Sequence, residues 1–326
     1  MKLATLKDGT RDGQLIVVAR DLRRAVSAQA IARTMQDALD DWADIEPQLQ
    51  SLAATLDAGT APDAFEFDPQ AVAAPLPRAF QWCDGSAFLN HGRLMEKAFN
   101  TPPMPEFETI PLMYQGGSDD FLGARDDALF VSEADGIDFE GEYGVIVDDV
   151  PMGCTPEEAA SHIKLIVQLN DWSLRGFGPR EMNTGFGFFQ AKPSTGFAPV
   201  AVTPDELGAA WRDGRVHLPL RIEWNGAWFG HPNGGEMNFS FYELIAHAAK
   251  TRRLRAGAII GSGTVSNADR SAGSACISER RVIELLDEGA SQTGFMRFGD
   301  TVRMEVFSAD GHSIFGAIEQ RVVKAE

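Results

Sequence analysis

Two glutamates two residues apart, Glu140 and Glu142, are the side chains in this sequence best placed to share a metal ion. They lie in Ile137-Asp138-Phe139-Glu140-Gly141-Glu142-Tyr143-Gly144-Val145-Ile146-Val147, whose β-branched and aromatic content predicts a strand. On a strand, residues two apart point to one face, roughly 6.6 Å apart along the chain. Two carboxylates aimed the same way repel, and one takes up a proton unless a cation lies between them. A hard divalent cation is the natural partner for such oxygens. Asp171, further along, is a third carboxylate within the same stretch.

The elements that must position these groups stand next to them. Thr155 can cap a helix, Pro156 suits its first position, and Glu158 completes a capping box. The pattern predicts a helix that packs Ala159, Ile163 and Ile166 along one face and delivers Asn170-Asp171 at its far end. Asp171 would then return to the two glutamates. Taken alone, the pair of glutamates fits a solvated edge strand followed by an ordinary helix equally well.

The chain has 326 residues, enough for a full core in one large domain or in a large domain with a small companion. Its formal net charge of -18 argues against a nucleic-acid partner, which requires clustered Lys and Arg. No apolar run approaches the roughly 18 residues of a membrane span. The opening MKLATLKDGT is broken by Lys7 and Asp8 before a signal-peptide core forms. The expectation is a soluble, cytoplasmic protein with no membrane partner. Cys83, Cys154 and Cys276 are far apart and show no metal-finger spacing, which fits a reducing compartment. Cys83 reads as a small buried thiol rather than a nucleophile.

Taken in order, KLATLK and QLIVVA form a predicted hairpin, with Asp8-Gly9 and Asp12-Gly13 as turn signals. Residues 22 to 57 read as helical, from Ala25, Ala28, Ile31 and Met35 to Leu39 and Trp42. Gly59, Pro62, Pro69, Pro75 and Pro77 mark residues 58 to 78 as the linker that ends a small N-terminal domain, 1–78. The larger domain, 79–326, carries the candidate site. In it Asp84-Gly85 reads as a turn, PLMYQGGSDDFLG as a loop, and the glycine-rich GFGPREMNTGFGFF after Arg175 as irregular. LPLRIEWNGAWFGHP reads as a strand into an Asn225-Gly226 turn, and MNFSFYELIAHAAK as a short helix. ISERRVIELL, FMRFGDTVRMEVF and SIFGAIEQRVV are three strand-like runs that should close a sheet. With few long helices after residue 80, the fold class is α+β and β-rich.

Glu140-Gly141-Glu142, a capped segment, and then Asn170-Asp171-Trp172-Ser173-Leu174-Arg175 together resemble the fumarylacetoacetate hydrolase family, over about residues 80 to 320. The resemblance implies a mixed β-sandwich or barrel domain that binds Mg²⁺, with Ca²⁺ or Mn²⁺ as other candidates. Glu140, Glu142 and Asp171 would be ligands. Asp84 followed seven residues later by His91 matches the family's fourth ligand and general base; a lone histidine without that context is commonly structural. Lys192, after Phe188-Phe189-Gln190-Ala191, resembles the lysine beside the metal. Tyr114, Arg175 and Thr264 are implied substrate contacts. Tyr114 equally fits a buried phenol, and Thr264, in LRAGAIIGSGTVSN, equally fits a plain turn whose amides form an anion nest. Glu279 is the nearest match to a glutamate that orients the histidine, although Ile277 stands at the aligned position. Gly178 departs from the family's glutamine three residues past the arginine.

The implied chemistry is hydrolysis of a carbon–carbon bond in a β-diketone acid, such as an acylpyruvate or fumarylacetoacetate, as in aromatic catabolism. His91 would activate water, and Lys192 would stabilise the enolate that leaves. Two alternatives stand beside it: a hydratase, decarboxylase or isomerase of 2-oxo acids on the same site, and a non-catalytic metal-binding scaffold. The partner is a small diketo or 2-oxo acid, and the resemblance implies a homodimer.

Overall fold

The strand predicted around the glutamates forms as Gly141–Val147, with every residue buried. In the computed structural model, which describes residues 1–99 and 105–326, this strand sits inside an 11-stranded sheet. On one side it pairs antiparallel with Ile163–Asn170, from Ile163 opposite Val147 to Asn170 opposite Gly141. On the other it pairs with Ile259–Gly261, which runs parallel to Trp82–Gly85, itself paired with Met113–Gly116. The N-terminal hairpin forms as expected, Lys2–Leu6 against Gln14–Val18. Lys2–Leu6 also pairs with Ala201–Val202, so the hairpin extends the sheet that carries the candidate site.

Period-two alternation along these strands sorts side chains into two cores. Leu3, Leu15, Val17, Ile146, Leu165 and Val167 pack with Met35, Leu39, Leu49 and Leu56 from the helices Met35–Asp40 and Trp42–Asp57. Ala4, Ile16, Val18, Val145, Val147 and Ile166 face the other way. They meet Ile222, Val302, Met304, Ile318 and Val322 of a second, five-stranded sheet, ordered Ala227–Gly230, Leu220–Trp224, Thr301–Val306, Ile318–Lys324 and Ala128–Phe130. Sheet on sheet, with helices over the outer face, is the β-rich α+β class expected. The turn between the first two of those strands has Asn225 at φ 51° and Gly226 at φ 75°, the left-handed pair that an Asn-Gly hairpin supplies.

Several local expectations are corrected. The helix begun at Thr155 has its capping box, but it ends at Ala159, and a single 3-10 turn leads into the strand Ile163–Asn170. That strand is buried on both faces, so its apolar residues run nearly continuously and imitate a helix stripe. Ile277–Glu288, read as a strand, is a helix: it buries Ile277, Glu279 and Val282, and Gly289 at φ 80° ends it. Residues 22 to 57 are not wholly helical, because Arg24–Ser27 pairs with the hairpin. The 58 to 78 segment contributes a short strand, Phe65–Glu66, and buries Val72, Ala74 and Leu76. Asp84-Gly85 ends a strand rather than forming a turn, Met113–Gly116 is a strand rather than a loop, and Gly178–Thr184 is a seven-residue helix.

Candidate active site

Three segments of the large sheet, two of them separated by the strand Ile259–Gly261, bring three carboxylates together. Asp84 lies on Trp82–Gly85, Glu142 on Gly141–Val147, and Asp171 just past Ile163–Asn170. One oxygen from each lies within 4.8 Å of the others, and all three residues are buried. The strand between the first two must be thin here. A Cβ at Gly261 would stand 2.4 Å from Asp84 Oδ1, so only glycine leaves room.

The three acids differ in how they are satisfied. Asp171 accepts hydrogen bonds from Thr195 Oγ1 at 2.9 Å, Tyr114 Oη at 2.6 Å and Lys192 Nζ at 2.6 Å. Asp84 accepts one from the Gly263 amide at 3.0 Å. Neither oxygen of Glu142 meets a donor among the described residues, and a bond between Glu142 and Asp84 requires a proton on one of them. Burial raises the Glu142 carboxyl well above its ordinary value, and the nearby Asp84 and Asp171 charges raise it further. Burial and Asp171 likewise push Asp84 up. A buried carboxylate without donors is costly, and a divalent cation removes that cost by replacing the protons. An all-oxygen set of this kind fits Mg²⁺, Mn²⁺ or Ca²⁺.

Glu140 has the opposite surroundings. Its Oε2 accepts from Lys192 Nζ and its Oε1 from Arg175 at 2.6 Å. Burial alone would raise this carboxyl, but the Lys192 and Arg175 charges hold it well below the usual range. Lys192 is correspondingly kept charged: burial opposes the ammonium, while Asp171 and Glu140 outweigh that. The Arg175 Nε turns to Asp138 Oδ2 at 2.8 Å. Asp138, fully buried, also accepts from the Ile277 amide at 2.7 Å and the Ser278 amide at 2.9 Å, the first donors of the helix Ile277–Glu288.

The same helix carries Glu279, whose Oε2 meets His91 Nδ1 at 2.8 Å. His91 is on the helix Leu89–Phe99, whose Leu89 amide donates to Asn238 Oδ1 at 2.9 Å. The imidazole keeps 19% of its surface exposed while Glu279 keeps 1%. A carboxylate on Nδ1 orients the ring and leaves Nε2 to take a proton.

Of the residues expected at the site, Asp84, Glu142 and Asp171 form one group, Glu140 and Lys192 adjoin it, and His91 stands with Glu279. Tyr114 and Arg175, expected on substrate, donate hydrogen bonds to Asp171 and Glu140. Thr264 is buried, and the loop amides beside it are engaged internally: Ser262 N to Tyr143 O, Gly263 N to Asp84, and Val265 N to Gly141 O. No anion nest is left at those three amides. At Gly178, the position of the expected glutamine, a Cβ would meet nothing within 4 Å. Sequence reading missed Asp138, Thr195 and Asn170, whose Oδ1 accepts from the Glu140 amide at 3.0 Å. Asp138 had a signal. Asp138, Glu140 and Glu142 follow one another at two-residue spacing, so the alternation that paired the glutamates includes it.

Residues 81–323 match the family model described as fumarylacetoacetate (FAA) hydrolase C-terminal, and residues 1–78 match fumarylacetoacetase N-terminal domain 2. The chain belongs to the fumarylacetoacetate hydrolase family. A 2,4-didehydro-3-deoxy-L-rhamnonate hydrolase of Sphingomonas sp. (strain SKA58) is 28% identical over 50% of this chain and 54% of its own. An oxaloacetate tautomerase, YisK, of Bacillus subtilis (strain 168) is 24% identical over 59% of this chain and 61% of its own. The chain thus aligns with little more than half the length of these curated relatives. The crystal structure of maleylpyruvate hydrolase from Sphingobium sp. SYK-6, in complex with manganese(II) ion and pyruvate, superposes with TM-score 0.64 at 15% identity, covering 100% of both chains. At that identity the likeness establishes the fold alone.

Proposed function

We propose that this member of the fumarylacetoacetate hydrolase family is a divalent-metal-dependent hydrolase that cleaves a carbon–carbon bond in a β-diketone acid of the acylpyruvate or fumarylacetoacetate type. The observation that carries this reading is the buried Glu279 on His91 Nδ1, a general-base arrangement, in a chain that also gathers a carboxylate group whose Glu142 meets no donor among the described residues. Asp84, Glu142 and Asp171 would hold the ion, and Glu140 joins them only by giving up one of its two cations. When bound, the ion supplies Lewis-acid polarisation of the substrate oxygens.

The chain's own residues account for the rest. His91 Nε2 takes a proton from water, and Glu279 stabilises the imidazolium that results. The hydroxide adds to the distal carbonyl carbon, the bond to the central carbon breaks, and its electron pair moves onto the remaining carbonyl as an enolate. Lys192, held charged between Glu140 and Asp171, is the cation placed to stabilise that oxygen. The proton on His91 returns to the enolate carbon, so one water and one diketone acid give a carboxylic acid and an oxo acid, which is pyruvate from an acylpyruvate and a 3-oxo acid from a fumarylacetoacetate-type substrate. Mg²⁺ as resident ion, a homodimer, a cytoplasmic setting and a domain boundary near residue 78 belong to the same proposal.

A second reading, decarboxylation or tautomerisation of a 2-oxo acid, is supported by the likeness to the oxaloacetate tautomerase and by Gly178 standing where the hydrolases' glutamine is expected. The test is a screen of acylpyruvates and 2-oxo acids with Mg²⁺ and Mn²⁺. Two products from an acylpyruvate support hydrolysis. One isomerised or decarboxylated product transfers the assignment to the second reading, and metal binding without turnover points to a scaffold.

A further inference from the structure

Asp138 belongs neither to the three-acid group nor to the histidine pair. It is fully buried, and its contacts lead in two directions. Towards the sheet, Arg175 bridges it to Glu140, with Nε on Asp138 and the Nη2 group on Glu140. Ser173 pairs opposite Asp138 across two short strands, so the backbone of both partners is fixed. Towards the helix, Oδ1 takes the Ile277 amide and Oδ2 the Ser278 amide. These are the first two helical residues, whose amides have no intrahelical acceptor, and Glu279 is the third. A carboxylate there also favours the positive end of the helix.

We propose that Asp138 is a positioning residue that sets the Glu279–His91 pair against the Glu140–Lys192 pair. Glu279 is one residue beyond the amides that Asp138 holds, so any turn or slide of this helix end moves the Glu279 carboxylate off His91. Arg175 is held to Asp138 at its other end, so the same carboxylate fixes the guanidinium that neutralises Glu140. One buried acid thereby ties the proton-accepting half of the site to the charge-stabilising half, without touching substrate. As a catalytic claim this rests on the proposed hydrolysis, but its first two readouts do not.

Hydrogen exchange on the unmodified protein is the first. The Ile277 and Ser278 amides should be as protected as the central strands, whereas first-turn helix amides usually exchange quickly. Fast exchange there overturns the proposal. The second is ¹⁵N-histidine NMR of the metal-free protein, with the His91 Nδ1–H signal assigned by its loss in His91→Ala. It should also be lost in Asp138→Asn, as in Glu279→Gln, while cooperative thermal unfolding persists. An unchanged signal in folded Asp138→Asn overturns the proposal, and if that variant does not fold, the exchange result decides. On whichever substrate the unmodified enzyme turns over, Asp138→Asn should lower kcat by roughly 10- to 100-fold, the range for residues behind the ligands, with KM and Mn²⁺ affinity within about threefold. In a Glu279→Gln background it should lower kcat by less than about threefold more. Full additivity there would show that Asp138 acts independently of the His91 pair. Absence of diketone turnover, with exchange protection and the NMR loss intact, would remove the reaction and leave the positioning role standing.

Discussion

Glu140 and Glu142 are the same residue type, two positions apart, buried alike, yet their surroundings drive them in opposite directions. Glu140 has a cation on each oxygen and is held ionised; Glu142 has no donor on either among the described residues, and burial beside Asp84 and Asp171 drives it towards the protonated form. Strand alternation explains why both point into one site, and nothing about alternation explains the split. The split comes from what reaches them from elsewhere in the chain. Lys192 and Arg175 arrive on the Glu140 side, while two further acids arrive on the Glu142 side. One half is a finished ion-pair network, and the other half is a group of acids that either keeps protons or could take a cation.

The largest expected effect attacks that contrast directly. Glu142→Gln should weaken Mn²⁺ binding by more than about 100-fold and abolish turnover, since it removes the negative charge and replaces one of the two donorless oxygens with an amide NH₂ that cannot ligate a cation. Glu140→Gln should leave Mn²⁺ affinity within about tenfold and lower kcat instead, because Lys192 and Arg175 lose their shared anion. Isothermal titration of the two variants side by side checks this, and equal losses of metal would erase the distinction.

Next in size is His91→Ala, which should lower turnover by about 10²- to 10⁴-fold while leaving folding and Mn²⁺ affinity unchanged. An unaffected rate on the best diketone would take the base role from His91 and favour tautomerisation or decarboxylation.

A smaller effect appears in stability against pH. Asp84 and Glu142 are raised in the folded state, so above the ordinary carboxylate range the metal-free native protein holds protons that the unfolded chain has released. Its stability should therefore fall as pH rises from roughly 5 to roughly 8, and saturating Mn²⁺ should abolish the fall. Glu140, held low, works the other way: it contributes stability above its ordinary range that disappears on strong acidification. Thermal unfolding across pH, with and without Mn²⁺, reads both limbs. A metal-free melting temperature that rises over the upper window would contradict the assignment of the unpaired half.

The smallest effect concerns the thiols bordering the two halves. Burial pushes Cys83 up to about 11 and raises Cys276 well above the ordinary thiol range, so both should resist a thiol reagent near neutral pH until the protein is denatured. Fast labelling of the native protein would show that these walls open.

The sequence revealed the site more readily than the elements around it. The glutamate pair, Asp171, Asp84 with His91, and Lys192 were legible because motif order and spacing survive whatever the backbone does between them. Glu279 was legible only as the nearest acid, since its fit to His91 depends on a helix where a strand was expected. That helix was misread because Ile277, Val282 and Ile283 are β-branched, and their spacing of five and one shows no helical three-to-four repeat. The strand Ile163–Asn170 was misread for the opposite reason: a strand buried on both faces shows no alternation to recognise. Tyr114 and Arg175 could be seen as site residues, but their partners, Asp171 and Glu140, lie 57 and 35 residues away and are fixed only by folding.

The most direct measurement of the central claim is turnover of an acylpyruvate with Mn²⁺ in H₂¹⁸O, following both products by mass spectrometry. If His91 activates water for carbon–carbon cleavage, one ¹⁸O from solvent enters the released carboxylic acid, pyruvate forms in equal amount, and both disappear in His91→Ala. Solvent exchange at the central carbon without cleavage, or pyruvate release with no ¹⁸O in the acid, would contradict the account.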